Sequence, residues 1–105
     1  MNTTSIKLKF KPSSEQNQKG ALTFLLRHGH IVGEIACAHK IYNKEWNKAT
    51  GKICLPPLSS PRRTQLELTR LNVEWEMQRL REIASEWERS GLDWDFNKIS
   101  QEFIS

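Results

Sequence analysis

The stretch Ser5–Lys11, SIKLKFK, alternates without a break between apolar and charged residues. Successive side chains of an extended chain point to opposite sides, so Ile6, Leu8 and Phe10 share one face and Lys7, Lys9 and Lys11 the other. On a helix the same residues would scatter around the axis and leave no dry side. The chain therefore opens with a strand that is buried on one face and wet on the other. Such a strand needs neighbours to pair with and a layer to cover its apolar side.

The following residues supply both. SSEQNQKG is a polar loop ending in glycine. ALTFLLR is a second strand, with Leu22, Phe24 and Leu26 on one face and Thr23, Leu25 and Arg27 on the other. IVGEIACA, rich in Ile, Val and small residues, is a third. Between the last two runs lies RHGHIVG, where Gly29 suits a tight turn that needs positive φ. His28 and His30 are then expected at the mouth of a hairpin, mostly solvated. The segment from His39 to Pro61 is irregular, with Tyr42 and Trp46 as anchors to the core. ATGK makes a turn before a short extended piece at Ile53–Leu55, which Pro56 and Pro57 keep from becoming a central strand.

A long helix then runs to Ser90 and ends at Gly91. Its start is open between Ser60 with Pro61 as cap and first residue, and a Thr64/Glu67 capping box. Leu66, Val73, Met77, Leu80, Ala84 and Trp87 form one stripe at helical spacing. Leu68, Leu71 and Trp75 form a second patch almost opposite, so the helix asks for partners on two sides. One is the sheet, and the other is a neighbouring domain or the last segment, DWDFNKISQEFI. In that segment Phe96, Ile99 and Phe103 are spaced for a short amphipathic helix. The fold class that follows is α+β: a three-stranded antiparallel sheet packed against one long C-terminal helix, followed by a short helix. The chain stops at Ser105 without a terminating signal, as expected of a fragment of something longer.

Charge divides the 105 residues unevenly. Residues 1–60 carry nine Lys and Arg against three Glu, a net of +6, while residues 61–105 carry seven against nine, a net of −2. A basic front half fits a polyanionic partner and, on charge alone, equally a soluble lysine-rich surface. No apolar run approaches the roughly 18 residues that span a bilayer. The N-terminus lacks the apolar stretch of a secretory signal, so a cytoplasmic protein without a membrane partner is expected. Cys37 and Cys54 fit reduced thiols better than a disulfide framework.

Zinc wants about four ligands, usually in close Cys or His pairs. The candidates His28, His30, His39, Cys37 and Cys54 have no standard spacing, so no metal or other cofactor is expected. No sequence context activates a cysteine nucleophile. A chain this short leaves little room for a small-molecule pocket, and a non-catalytic domain is expected. The lysine row is more informative. Lysines on an edge strand ordinarily discourage aggregation, but ammonium groups spaced roughly 6.5–7 Å apart along a strand also suit successive phosphates. Arg27, Lys40, Lys44, Lys48 and Lys52 extend the charge. The strand aromatics Phe10 and Phe24 fall on the apolar side, which favours duplex over single-stranded nucleic acid.

The order of elements also resembles a known family. A basic strand, a glycine-turn hairpin, IYNKEWNKATGKI, a long helix and LDWDFNKISQEFI together resemble the N-terminal region of tyrosine recombinases, the integrases of phages and conjugative transposons. The likeness runs from Lys7 to Phe103 and is best at Ile41–Ile53. It implies an arm-type DNA-binding domain that docks its sheet in the major groove, supporting DNA integration and recombination, beside other recombinase protomers. It also implies the division of the chain: the basic sheet at 1–60, the helix packing on it at 61–91, and a linker with the start of the core-binding module at 92–105. The family's catalytic tyrosine has no counterpart, since Tyr42, the only tyrosine, lies in the wrong region. Many relatives carry Asn-Gly at the hairpin where this chain has His-Gly, which places the histidines near phosphate. The resemblance transfers no contact residues. The strand-face argument instead assigns Lys7, Lys9, Lys11, Thr23 and Arg27 to a docking face, with His28, Lys40 and Lys44 beside it. The alternative is a protein-interaction module in which the two-sided helix, through Leu68, Leu71 and Trp75, docks a partner.

Overall fold

The computed structural model describes residues 4–15 and 17–104. Three long strands come first: β1 (Thr4–Lys11), β2 (Lys19–His28) and β3 (Ile31–Tyr42). A 3₁₀ turn at Asn43–Glu45 leads into two very short strands, β4 (Trp46–Asn47) and β5 (Lys52–Ile53). The helices α1 (Arg62–Ser90) and α2 (Phe96–Ile104) follow. β1, β2 and β3 form one antiparallel sheet in that order, and β4 and β5 make a separate hairpin. The molecule measures 50 × 26 × 25 Å. This is the α+β arrangement that the two hydrophobic periods require.

The hairpin between β2 and β3 closes over two residues, with Gly29 at φ 59° and His28 opposite Ile31. Positive φ at the first loop residue alone is the pattern of a type II′ turn, whose twist matches that of the strands it joins. Farther along, Ala21 pairs with Lys40 but Thr23 with Ala36, so β3 carries extra residues opposite β2. An irregularity of this kind bends the strand and sharpens its twist without changing which residues face inward.

Among the described residues only one face of the sheet is covered. Leu22, Phe24 and Leu26 of β2 are fully buried, flanked by Ile35 and Ile41 of β3. From α1 they meet Leu66, Val73, Leu80, Ile83 and Ala84, which carry the helix's main stripe, with Ile83 added and Met77 and Trp87 half-buried beside it. Fully burying a side chain of this size contributes about 1.5–3 kcal/mol. α1 begins at Arg62, where the Ser60 hydroxyl accepts the Arg62 N–H at 3.3 Å, and it ends at Gly91 with φ 76°. The helix thus starts beside Ser60 and Pro61 and not at Thr64, with Pro61 in the cap position and Ser60 one residue before it.

α2 lies against the same face. Ile99 and Phe103 join the buried cluster, and the Phe103 ring meets Phe24 edge-on at 6.0 Å. The Phe96 ring rests on Gly33, where an added Cβ would come within 2.4 Å of it. A glycine inside a strand is needed here because a neighbouring ring occupies the side-chain position. The segment expected to open a further module thus completes this core. It leaves the second patch of α1 uncovered, with Leu68, Leu71 and Trp75 at 57%, 58% and 69% exposure.

The irregular segment is fixed by a buried carboxylate. Glu45, 4% exposed, receives Arg62 Nε at 2.9 Å on one oxygen and Arg62 Nη2 at 3.2 Å on the other. The Tyr42 N–H donates to it at 2.8 Å, and the Arg62 guanidinium lies 5.4 Å from the centre of the Tyr42 ring. Burial alone would raise the Glu45 pKa. The hydrogen bonds from Arg62 and Tyr42, with the charges of Arg62 and Lys44, outweigh it and hold the group below its ordinary value of 4.5. The pair ties the end of β3 to the first turn of α1. Removing one partner of a fully buried pair costs about 3–5 kcal/mol, but Arg62 remains about a fifth exposed and can be rehydrated. Glu45→Ala is accordingly expected to lower stability by about 2–3 kcal/mol in urea unfolding. A depressed carboxylate stabilises above its unfolded pKa and loses that contribution as pH falls through the folded one. Wild type should therefore lose stability more steeply than Glu45→Gln below pH 4.5.

Candidate nucleic-acid interface

The uncovered face of the sheet is a grid fixed by register. Its rows, read from β1 across β2 to β3, are Lys11–Ala21–Lys40, Lys9–Thr23–Ala36, Lys7–Leu25–Glu34 and Ser5–Arg27–Val32. Lys7, Lys9, Lys11, Arg27 and Lys40 all lie on it and all are exposed. The four rows span about 20 Å along the strands, and the three strands about 10 Å across. That width fits the roughly 12 Å opening of the DNA major groove. Ala21, Ala36 and Ala38 keep the face low between the cations, and the Tyr42 ring stands beyond the Lys11–Ala21–Lys40 row, opposite Lys19, whose ammonium lies 5.5 Å from its centre.

Three of the expected contact residues are placed otherwise. Thr23 occupies the centre of the grid but is only 7% exposed, and its hydroxyl makes no hydrogen bond among the described residues. A hydroxyl so shielded cannot reach a base edge. His28 belongs to the opposite face, because alternation along β2 carries it inward with Leu26 when Arg27 points out. It stacks on Trp94 with ring centroids 4.6 Å apart and planes within 6°. Its Nδ1 lies 3.2 Å from the Thr4 hydroxyl and 3.7 Å from Glu88. His28 is thus not solvated at the hairpin mouth, whereas His30 is exposed there. Lys44 is exposed on the 3₁₀ turn beyond the end of β3 and lies outside the grid.

One residue of the face escaped the sequence reading. Glu34, beside Leu25, forms an ion pair with Lys11 at 2.7 Å. Ala21 is opposite Lys11 and Leu25 is opposite Glu34, so the pair reaches diagonally over the position of Thr23. The Lys11 hydrogen bond, with the charges of Lys11 and Lys9, holds the Glu34 carboxyl below its ordinary range against a smaller opposing effect of desolvation. Five cations and one carboxylate leave the grid with a net charge of +4. The signal for Glu34 was present in the alternation of Glu34 with Ile35 and Cys37, although IVGEIACA is too apolar on both sides to show it plainly.

No family model, curated protein or solved structure matches this chain. The functional reading therefore rests on its own residues. Among the described residues no helix is long and apolar enough to cross a membrane.

The histidine and cysteine candidates do not converge. Cys37 and His39 both point from β3 towards Glu76 of α1, the Cys37 thiol donating at 3.5 Å and His39 Nε2 lying 3.8 Å away. Cys54 is exposed, and both cysteines are free thiols. No group of three His, Cys, Asp or Glu among the described residues is placed to hold a metal ion. Burial raises the Cys37 pKa to about 11, with Glu76 pushing the same way against the His39 backbone N–H. A thiol held protonated is a poor nucleophile. A disulfide reagent at pH 7.5 is expected to titrate Cys54 in the folded protein and Cys37 only after denaturation. Equal reaction rates at the two sites would show the Cys37 environment to be open.

Proposed function

We propose that this chain is a duplex-DNA-binding domain that lays the uncovered face of its sheet in the major groove, in the manner of an arm-type domain of a tyrosine recombinase. The supporting observation is the grid itself: five exposed cations in four rows, on a face that no element among the described residues covers. Lys7 and Lys9 on β1, Lys40 on β3 and Arg27 near the hairpin flank a lane of small side chains, so phosphates on both sides of a groove come within reach. Arg27 is the residue suited to base readout, because its planar fork matches guanine in the major groove. Lys11 serves as a fourth phosphate contact, beside Lys7, Lys9 and Lys40, once it exchanges Glu34 for phosphate. The domain would act in the cytoplasm as the non-catalytic positioning part of a recombinase, beside further protomers on the same DNA.

A second reading is favoured by the exposure of Leu68, Leu71 and Trp75 on one side of α1. A protein-interaction module would bind through that patch, with little dependence on salt.

Fluorescence anisotropy with labelled duplexes over a range of salt separates the two. Four phosphate contacts, from Lys7, Lys9, Lys11 and Lys40, correspond to a slope of log affinity against log salt of about −3.6. The double variant Lys7→Ala/Lys9→Ala should weaken binding to all duplexes and make the slope shallower by about 2. Glu34→Gln should tighten binding, since it removes the one carboxylate and releases Lys11. Arg27→Ala should relax preference among duplexes by about 1–3 kcal/mol if it reads a base. Unchanged affinity in all of these variants, or duplex binding that requires Trp75, would overturn the docking face.

A further inference from the structure

Among the described residues β1 is an edge strand, paired with β2 on one side only. Along its free edge runs a groove of about 680 Å³, within the size range of ligand sites. Every residue from Ile6 to Phe10 lines it, inward- and outward-facing alike, which places the groove along the edge of the strand itself. Val73 and Met77 of α1 form the far wall, and the Phe10 ring stacks on Trp46 with centroids 5.7 Å apart. The floor is therefore apolar, and an edge strand offers unpaired backbone N–H and C=O groups at alternate residues.

The rim is strongly cationic. Lys7, Lys9, Lys48, Lys52, Arg70 and Arg81 line the groove against a single carboxylate, Glu74. No ion pair neutralises any of these six among the described residues. We propose that this groove takes an extended acidic segment of a partner protein, which adds to β1 as a fourth strand. Its backbone pairs with the free edge, its apolar residues meet Ile6, Leu8, Val73 and Met77, and its carboxylates meet the cationic rim. Strand addition of this kind takes affinity from main-chain hydrogen bonds and specificity from alternate side-chain positions.

The charge pattern selects among occupants. A second copy pairing through β1 would set Lys7, Lys9 and Lys11 against their own equivalents, and like charges opposite one another destabilise a sheet. A single-stranded nucleic acid would need exposed rings on which to stack, whereas Phe10 and Trp46 are stacked on each other and the remaining floor is aliphatic. An acidic peptide with alternating apolar residues satisfies the edge, the floor and the rim together. The groove shares Lys7 and Lys9 with the sheet-face grid, but its α1 wall and the β4–β5 hairpin lie outside the grid, so variants there test this proposal apart from duplex binding.

The test uses the whole chain and a fluorescein-labelled peptide that alternates glutamate and valine and is long enough to pair with Ile6–Phe10. Its controls are the same peptide with lysine in place of glutamate and a labelled oligo-dT strand. The glutamate peptide should bind and the lysine peptide should not. Methylating the peptide's backbone nitrogens at one alternating set of positions should abolish binding, while methylating the other set should leave it. Arg70→Glu/Arg81→Glu should weaken binding by about tenfold or more. Met77→Trp, which fills the floor, should weaken it without any change of charge. Circular dichroism checks that both variants remain folded. Equal binding of the two N-methylated peptides would reduce the interaction to bulk electrostatics, and tighter binding of oligo-dT would make the groove a nucleic-acid channel. Either result, or no binding of the glutamate peptide, overturns the proposal.

Discussion

One-sided cover is the constraint on which everything else in this molecule depends. Two helices and three strands give a core one layer deep, and that layer exists because Leu22, Phe24 and Leu26 on the central strand meet α1 and α2 together. The opposite face has nothing to bury against. It must be polar, and the chain makes it basic. The candidate interface is thus a direct result of where the core can be, since the residues facing away from Leu22 and Phe24 are the ones free to meet a partner.

The same constraint explains which parts of the molecule were legible in the sequence. β1 and β2 were, because strict alternation identifies both the strand and its faces, and it set Lys7, Lys9, Lys11 and Arg27 on one side. The main stripe of α1 was legible from its 3.6-residue period, apart from Ile83 at its margin. The side taken by His28 was available from the same alternation, but reading it as a solvated turn residue overrode the rule. Its ring instead found Trp94, which is distant in sequence. Thr23 shows the limit of face assignment, since alternation gives direction and not accessibility.

What remained hidden depends on long-range partners. Glu45 reads as one more surface carboxylate until Arg62 is seen to return beside it, seventeen positions later. The docking of α2 needs the bare backbone at Gly33 and the edge of Phe24, neither of which is marked locally as a receiving site. The groove beside β1 is a property of an edge and a helix together, and no single segment carries its pattern. Lys48, Lys52, Arg70 and Arg81 come from separate stretches of chain, and their shared rim emerges only when the hairpin and α1 fold alongside the strand.

The elongated outline has a consequence for motion. At 50 × 26 × 25 Å the body is about twice as long as it is wide, and α1, with 29 residues, is about 43 Å long and sets the long axis. A body of this shape spins about its length faster than it turns end over end. Helix N–H bonds lie along the helix axis, whereas sheet N–H bonds lie across their strands. The amides of α1 share one direction and so sense the same part of this uneven rotation along 29 residues.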